Sequence, residues 1–526
     1  MNALTTTSNP SSKTTNTATT TPTPQRSRWL SLGAIALAVA LVIMDATIAN
    51  VALPVVIRDL GLRAADAQWI NAIYSLVFAA FIISAGRLGD LFGRRRIAAS
   101  GLSIFLIASL AAGAAHTPLS LIIARTFQGL GAAAVLPATL STINTLFRGK
   151  DRSIAFAVYG SMIGGMAAVG PLVGGWLATD ISWRWAFWLN IPFGLIALIG
   201  MLAYTPNTRD THAERSLKAF DLSGVALIST ALAALVFALI ESSTLGWATT
   251  MPIAAVALLL IAIFLRHERH RSAQHQPVLV DLSLFQLRSF RLGASTAFLV
   301  SLGEFGLIFA LPLLLQGALG YSALNTGWLM MCLAGGTFLA SAVVPHLIKT
   351  LGKKQVILLG LGSQTLMLAA LAWAISSHSW VMAIILAAYG FGIGLANAQL
   401  TDTTMQDVPV ELSGMASGLQ TTIRQLGSAI GIAGLGGFMI ARLSTLTQDG
   451  LIAAGIPRAQ ELTRAVHDSV GAIIPELAFR DPVAAAPAIH ALLTSSRWTL
   501  LLAAGVLCVA LINSLRLAQD AQDEKH

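Results

Sequence analysis

The segment GRLGDLFGRRR, residues 86–96, links two long apolar runs of the chain, 69–88 and 97–115. It places one acid, four arginines and three glycines in a short connection, although only 11% of the 526 residues are charged. The chain is 55% hydrophobic, with a mean hydropathy of +0.72. Soluble domains carry about a quarter of charged residues. We therefore expect a membrane protein in which this polar segment has a specific role.

Fourteen apolar runs have a length suited to crossing a hydrocarbon core of about 30 Å as a helix. The first six predicted spans are 30–53, 69–88, 97–115, 118–140, 153–178 and 185–204. The other eight are 222–241, 251–265, 291–316, 326–348, 355–375, 380–400, 412–441 and 497–515. The short alternating runs of a β-barrel are absent from the sequence. The sequence predicts an all-α integral membrane protein.

Basic residues fall on one face of this fourteen-span arrangement, in the segments 94–96, 148–152, 266–271 and 349–354. By the positive-inside rule, that face and both termini are expected to be cytoplasmic. The protein would then be a multi-pass protein of the cytoplasmic (inner) cell membrane. The net charge of +9 is explained by this topology and by contact with the bilayer, so no nucleic-acid partner is expected.

Composition also predicts the division of the chain. Residues 1–28, rich in Thr, Ser, Asn and Pro, are expected to form a disordered cytoplasmic tail. The loop 442–496 is expected outside, with one or two short surface helices. The predicted units are an N-terminal six-helix lobe at 29–205, a linker with two extra spans at 206–290, a C-terminal six-helix lobe at 291–516 and a cytoplasmic tail at 517–526.

Sequence signals of an enzyme are missing. No phosphate-binding loop, nucleophile elbow or metal-ligand spacing occurs. We therefore expect neither catalysis nor a cofactor nor a bound metal. A weak internal repeat is present instead, since PHLIKTLGKKQ at 345–355 aligns Gly352 with Gly93 of the first polar loop. Such repeats are typical of two-lobed secondary transporters.

Four motifs occur in order along the chain: DATIANVALP at 45–54, followed by QWINAIYSL at 68–76, GRLGDLFGRRR at 86–96, RTFQGLGAA at 125–133 and GPLVGG at 170–175. With them the chain resembles the major facilitator superfamily, and within it the fourteen-span drug:proton antiporters of the EmrB/QacA type. SWRWAFWLNIPFG at 182–194 and IRQLGSAIG at 423–431 extend the resemblance. Leu91 and Met166 depart from the motifs, which usually have a basic residue and a glycine there. The resemblance implies a major facilitator fold with two six-helix lobes and two extra central helices.

Four ionisable residues lie within predicted spans: Asp45, Arg125, Glu304 and Arg424. Each costs about 2.5–3.5 kcal/mol on insertion scales, so it needs a partner, a cavity or a change of protonation. Asp45 is expected to bind a proton or a cation, or to pair with an arginine. Glu304 is the preferred proton site, the alternative being an anchor near the outer surface.

The two arginines have different expected roles. Arg125 matches the residue that the resemblance associates with proton coupling, but a pair with Asp45 or a bond to backbone carbonyls explains it equally well. Arg424 is expected to hold two helices together through its five donors, with coupling as the alternative.

Glycine-containing motifs are expected to control conformational change. In the polar loop we assign this gating role to Gly86, Asp90, Gly93, Arg95 and Arg96. In the fifth span we assign it to Gly170, Pro171, Gly174 and Gly175, because proline removes a backbone hydrogen bond and glycines allow close packing. A simple kink is the alternative for this second group.

The sequence thus favours a proton-coupled multidrug efflux transporter that exports lipophilic, mainly cationic compounds by alternating access. Tyr74, Phe305 and Phe309 are candidates for stacking on such a cation. Two alternatives stay open: an exporter of one metabolite, lipid or siderophore, and a membrane sensor or scaffold that does not transport. The sequence does not decide whether a periplasmic adaptor is required.

Overall fold

The described residues up to 207 form seven helices. The computed structural model describes residues 25–147, 149–207, 221–274, 276, 278–409 and 412–517, and these are helical without any strand. The helices are α1 Gln25–Leu60, α2 Ala64–Phe92, α3 Arg94–Gly113, α4 Pro118–Leu146, α5 Gly149–Trp176, α6 Trp185–Trp188 and α7 Asn190–Tyr204. A π-helical turn at Leu177–Ile181 follows α5.

Eleven further helices follow in the described second half: α8 Leu222–Ile240, α9 Ser242–Leu245, α10 Trp247–Ala273, α11 Arg288–Leu313, α12 Ala323–Leu351, α13 Lys353–Trp373, α14 Ser379–Met405, α15 Ser413–Ala453, α16 Ala459–Asp468, α17 Ile474–Arg480 and α18 Pro482–Ser514. A 3₁₀ turn at Leu282–Gln286 precedes α11, and a π-helical turn at Leu314–Ala318 ends it.

Thirteen helical segments of the described chain are long and apolar enough to cross a membrane. The exception among the fourteen predicted spans is 153–178, which falls on the 28-residue helix α5. Many of its side chains lie outside the described part of the structure. A multi-pass helical membrane protein is therefore confirmed, and the count of fourteen stays a prediction.

The polar loop at 86–96 is a one-residue break between two helices. Gly93 has a φ of +106°, which an L-residue rarely adopts, and separates α2 from α3. Gly352 has a φ of +80° and separates α12 from α13 in the same way. The two glycines that the internal repeat aligns thus share one backbone conformation, a positive φ between two helices. We call the end of the helices that carries these two breaks the basic end, and the opposite end the loop end.

The helices pack into two groups, which meet at the loop end and along α2 and α15. In the first group α3 packs on α4, α4 on α2, and α1 on α5 and α7; in the second, α11 packs on α15 and α18, and α14 on α12 and α13. One apolar core at the loop end contains residues of both groups, among them Leu53, Ile70, Phe309 and Ile432. The extra helix α8 packs against α10, α2 and α15, beside this seam.

The segment 442–496 differs from the expectation in extent. Helices α15 and α18 continue to Ala453 and from Pro482, so the connection between them is about half as long as expected. Both helices continue past the apolar residues of the predicted spans, so hydropathy alone makes each helix too short. Of the one or two short helices expected there, two are present, α16 and α17. Residues 1–24 and 518–526, most of the two expected tails, lie outside the described residues.

Candidate functional site

Asp45 and Arg125 form a buried ion pair between α1 and α4. Arg125 Nη1 lies 2.5 Å from Asp45 Oδ2, and the two side chains are 2% or less exposed. The Arg125 guanidinium also donates to Gln128 Oε1 (2.9 Å) and to the Ile70 carbonyl of α2 (3.2 Å). The pairing that the sequence left open for these two residues is therefore present in this conformation.

Two amides complete the surroundings of Asp45. Gln128 Nε2 and Asn190 Nδ2 donate to its Oδ1 over 2.9 and 2.8 Å. Both amides also reach Ser109 Oγ of α3. Asp45 thus accepts three hydrogen bonds, and one network connects α1, α3, α4 and α7. A proton on Asp45 would have to compete with a guanidinium and two amide donors.

Gln128, Asn190 and Ser109 were not predicted as site residues. A neutral amide or hydroxyl costs much less in a span than a charge, so hydropathy gives no signal for it. The available signal was their position: Gln128 lies in RTFQGLGAA and Asn190 in SWRWAFWLNIPFG, two of the stretches that carry the family resemblance.

Glu304, on α11, has very different surroundings. Its Oε2 is buried and has no hydrogen-bond partner. Among the described residues, no cation lies within ion-pair distance of this carboxyl; its polar neighbours are the Asn397 amide and, farther away, the Arg424 guanidinium. Gly303 and Gly306 beside it pack on Leu507 and Leu435, which fixes the position of this turn.

Arg424 and Tyr389 complete the polar group around Glu304. Arg424 Nη1 of α15 donates to Asn397 Oδ1 of α14 over 3.4 Å, so it links two helices. The Tyr389 side chain, on α14, lies within electrostatic range of Glu304. Tyr389 is 1% exposed, and its hydroxyl has no hydrogen-bond partner. Two buried oxygens in one group, on Glu304 and Tyr389, therefore lack a partner.

In the polar loop, Arg95 donates to the carbonyls of Leu202 and Thr205 at the end of α7, over 3.3 and 3.1 Å. A side chain at Gly93 would collide with Asn207. Arg96 is exposed, and the side chain of Asp90 lies outside the described part of the structure.

Gly86, assigned a gating role from the sequence, lies at an ordinary packing distance from α4. A Cβ at Gly86 would meet Pro137 of α4 at an ordinary 3.5 Å. At Gly129 of α4 it would lie 2.6 Å from the Tyr74 carbonyl, so the tight contact of α2 with α4 is there.

The glycines of GPLVGG contact both helix groups. Cβ atoms at Gly170 and Gly174 would collide with Thr47 and Ile48 of α1. One at Gly175 would collide with the Ala323 carbonyl of α12. These glycines of α5 thus pack against α1 on one side and against α12 on the other.

The closest described contacts between α5 and α12 lie at the loop end. The Pro171 carbonyl closely approaches Gly327, and the Thr179 hydroxyl accepts from the Leu324 amide over 3.0 Å. Nearer the basic end, Cβ atoms at Gly165 and Gly335 would meet nothing within 4 Å. The two helices therefore touch at the loop end and leave space around these glycines farther along.

The three aromatic candidates are unequally available. The Tyr74 ring lies 4.4 Å from the Arg125 guanidinium carbon, so one cation already occupies a face of it. Phe309 is 1% exposed and packs against Gly436. Phe305 is only partly buried. Of the three, Phe305 is the ring with accessible surface.

Comparison with known proteins gives a consistent result. A family model described as Major Facilitator Superfamily matches residues 35–223 and 222–432. The chain is 34% identical over 470 residues to the multidrug resistance protein Stp of Mycobacterium tuberculosis, covering 87% of this chain and 86% of that protein. It is 32% identical over 460 residues to the tetracenomycin C resistance and export protein of Streptomyces glaucescens, covering 85% and 83%.

A solved structure shares the fold. It is a bacterial homologue of the human lysosomal transporter Spinster in an inward-facing, unoccupied conformation. The TM-score is 0.63 at 18% identity, with 95% of this chain and 100% of that chain covered.

Proposed function

Since this chain belongs to the major facilitator superfamily, we propose that it is an efflux transporter that exports lipophilic, mainly cationic small molecules in exchange for protons. The names of the two relatives, a multidrug resistance protein and a resistance and export protein, support export as the direction of transport. In this proposal the basic end is cytoplasmic, and the protein spans the inner membrane fourteen times with both termini inside.

The observation that carries the proton coupling is the contrast between the two buried acids. Glu304 Oε2 accepts no hydrogen bond, so a proton placed there breaks none. Asp45 accepts three, one from a guanidinium, so protonation there disrupts an ion pair. Glu304 is therefore the residue that binds and releases the transported proton, and Asp45 keeps Arg125 in place.

Substrate and proton compete for the Glu304 carboxylate. An ionised Glu304 attracts a cation, whose apolar part contacts the accessible Phe305 ring. A protonated Glu304 loses this attraction and releases the cation. Because the carboxyl holds one or the other, the two move in opposite directions. One charge crossing about 100 mV supplies about 2.3 kcal/mol, or roughly fifty-fold in substrate concentration.

The α5–α12 contact is the gate of this cycle. It is closed in this conformation at the loop end, where Gly175 meets Ala323. Rocking of the helix groups separates these residues and brings together the helices near the basic end, where Gly165 and Gly335 now face open space. Arg95, bound to the end of α7, moves as one body with that helix.

The test is substrate-triggered proton movement in proteoliposomes with an imposed pH gradient. Lipophilic cations, neutral drugs and anions are supplied to the wild type and to Glu304→Gln. A cation-induced collapse of the gradient that Glu304→Gln abolishes is the expected result. Glu461→Gln, in the exposed helix α16, is the matched control and should behave as wild type. Full coupling in Glu304→Gln would refute this assignment.

A second candidate is an exporter of one dedicated metabolite. The relative named for resistance to and export of a single compound, tetracenomycin C, favours it. In that case the cation panel gives no proton movement, and a single compound of another charge class gives it. A folded protein with no response to any class would favour the non-transporting sensor or scaffold.

A further inference from the structure

A second polar cluster lies at the basic end of the two extra helices. Asp221 precedes α8 and caps it, while His267 and Glu268 lie near the end of α10. Their nitrogen and oxygen ligand atoms all lie within 4.8 Å of one another. Asp221 is 5% exposed and Glu268 is 0% exposed. The proposed transport cycle uses none of these residues.

Each of the two carboxyls has one oxygen that is hydrogen-bonded. Asp221 Oδ1 accepts from the Gly224 amide (3.0 Å) and from the Ser223 hydroxyl (2.7 Å), and it lies 3.1 Å from His267 Nε2. Glu268 Oε2 accepts from the Val280 amide over 3.0 Å. These bonds account for half of the acceptor oxygens in the cluster.

The other two oxygens, Asp221 Oδ2 and Glu268 Oε1, are buried and have no hydrogen-bond partner. Both would collide with a Cβ on Gly224, so they face the same small space above that glycine. Two buried carboxyl oxygens that face each other are unfavourable unless a proton or a cation lies between them.

We propose that Asp221, Glu268 and His267 bind a divalent metal ion of the zinc type. One imidazole and two carboxylates form a ligand set that Zn²⁺ accepts, whereas Ca²⁺ and Mg²⁺ prefer oxygen alone. Zinc–ligand distances of about 2.0–2.2 Å require donors within roughly 4.4 Å of each other. The ligand atoms lie within 4.8 Å of one another, so a shift of a few tenths of an ångström brings them to this separation.

The charge around the site is compatible with a cation. Arg271 Nη1 lies 3.5 Å from Asp221 Oδ1 and balances one carboxylate, which leaves one negative charge from Glu268 when it is ionised.

A metal here would hold the extra helices together at one end. It would connect the first turn of α8 to the last turns of α10, and Glu268 would link both to the segment at Val280 that leads into α11. Sequence spacing does not reveal the site, because Asp221 and His267 are 46 positions apart.

The test is metal content of the full chain, purified in detergent without a histidine tag, stripped with a chelator, loaded with Zn²⁺ and dialysed. We expect one Zn²⁺ per chain in the wild type and at least a tenfold weaker affinity in His267→Ala and Asp221→Asn. Asparagine is as good a helix N-cap as aspartate, so Asp221→Asn preserves the cap. His270→Ala, an exposed histidine one turn away, is the matched control and should bind as wild type.

Unfolding of the same proteins provides the second readout. Zn²⁺ should raise the melting temperature of the wild type and of His270→Ala. It should leave the melting temperatures of His267→Ala and Asp221→Asn unchanged. His267→Gln replaces His267→Ala if the alanine variant does not fold. Wild-type binding retained in His267→Ala would overturn the proposal. The proposal would also be overturned if the wild type bound no Zn²⁺ and its stability depended on pH in a way that Asp221→Asn removes. A proton shared by Asp221 and Glu268 would then lie between the two carboxyls.

Discussion

Replacing Asp45 by asparagine should destabilise the protein more than replacing its partner Arg125 by methionine. Asparagine preserves the shape of the side chain but leaves a buried guanidinium with only neutral acceptors, Gln128 Oε1 and the Ile70 carbonyl. Removing one member of a buried pair costs about 3–5 kcal/mol, because the remaining charge is uncompensated. Arg125→Met leaves Asp45 with two amide donors, and a carboxylate can take up a proton whereas a guanidinium cannot lose one, so the loss should be smaller.

The double variant Asp45→Asn/Arg125→Met leaves no buried charge in the network. It should be more stable than the sum of the two single losses predicts, with a coupling free energy of about 2–3 kcal/mol. The free energy of unfolding is measured by titration with a denaturing detergent in mixed micelles. The exposed pair Glu476–Arg480 on α17 is the matched control, and its cycle should give below about 0.5 kcal/mol. Additive losses at the buried pair would refute the reasoning.

Three further outcomes are expected. Gly175→Leu should prevent closure at the loop end, because a side chain there meets the α12 backbone. It should therefore increase thiol labelling of a cysteine placed between α5 and α12, whereas Gly165→Leu should not, since a Cβ at Gly165 meets nothing within 4 Å. Equal labelling in both variants would contradict the gate. Gln68→Leu should stabilise this conformation by about 1–3 kcal/mol and slow transport, because both polar atoms of the buried amide lack partners; an unfolding titration and a flux assay check this, and a destabilised variant would contradict it. Tyr389→Phe should also stabilise this conformation, by about 1–3 kcal/mol, because the buried hydroxyl that it removes has no hydrogen-bond partner. An unfolding titration checks this, and a loss of stability would contradict it.

The sequence predicted the helices well and their ends poorly, for one physical reason. Hydropathy detects the part of a helix that contacts lipid, so the last two spans were expected at 412–441 and 497–515. The helices Ser413–Ala453 and Pro482–Ser514 continue well beyond the apolar runs, where polar and small residues still favour helix. A boundary outside the hydrocarbon core leaves no trace in hydropathy.

The candidate site was predictable where charge was involved and unpredictable where it was not. Asp45, Arg125 and Glu304 stand out because a charge in a span is costly, and the pairing of the first two was one of the stated alternatives. Gln128 and Asn190, which saturate Asp45, carry no such penalty. The Asp221 cluster was missed because its members are far apart in the chain and only folding brings them together.

The unequal surroundings of the two acids explain how one protein can hold two buried carboxyls and use them differently. A proton-exchanging group must have similar free energies in its two protonation states, so its charged form cannot be heavily stabilised. Three donors, one of them a guanidinium, give Asp45 just such stabilisation. Glu304, with an unpartnered oxygen and no cation within ion-pair distance among the described residues, has much less to lose on protonation. In the proposed cycle, the network of Asp45 is therefore a fixed frame for α1, α3, α4 and α7, and Glu304 changes its protonation without disrupting that frame.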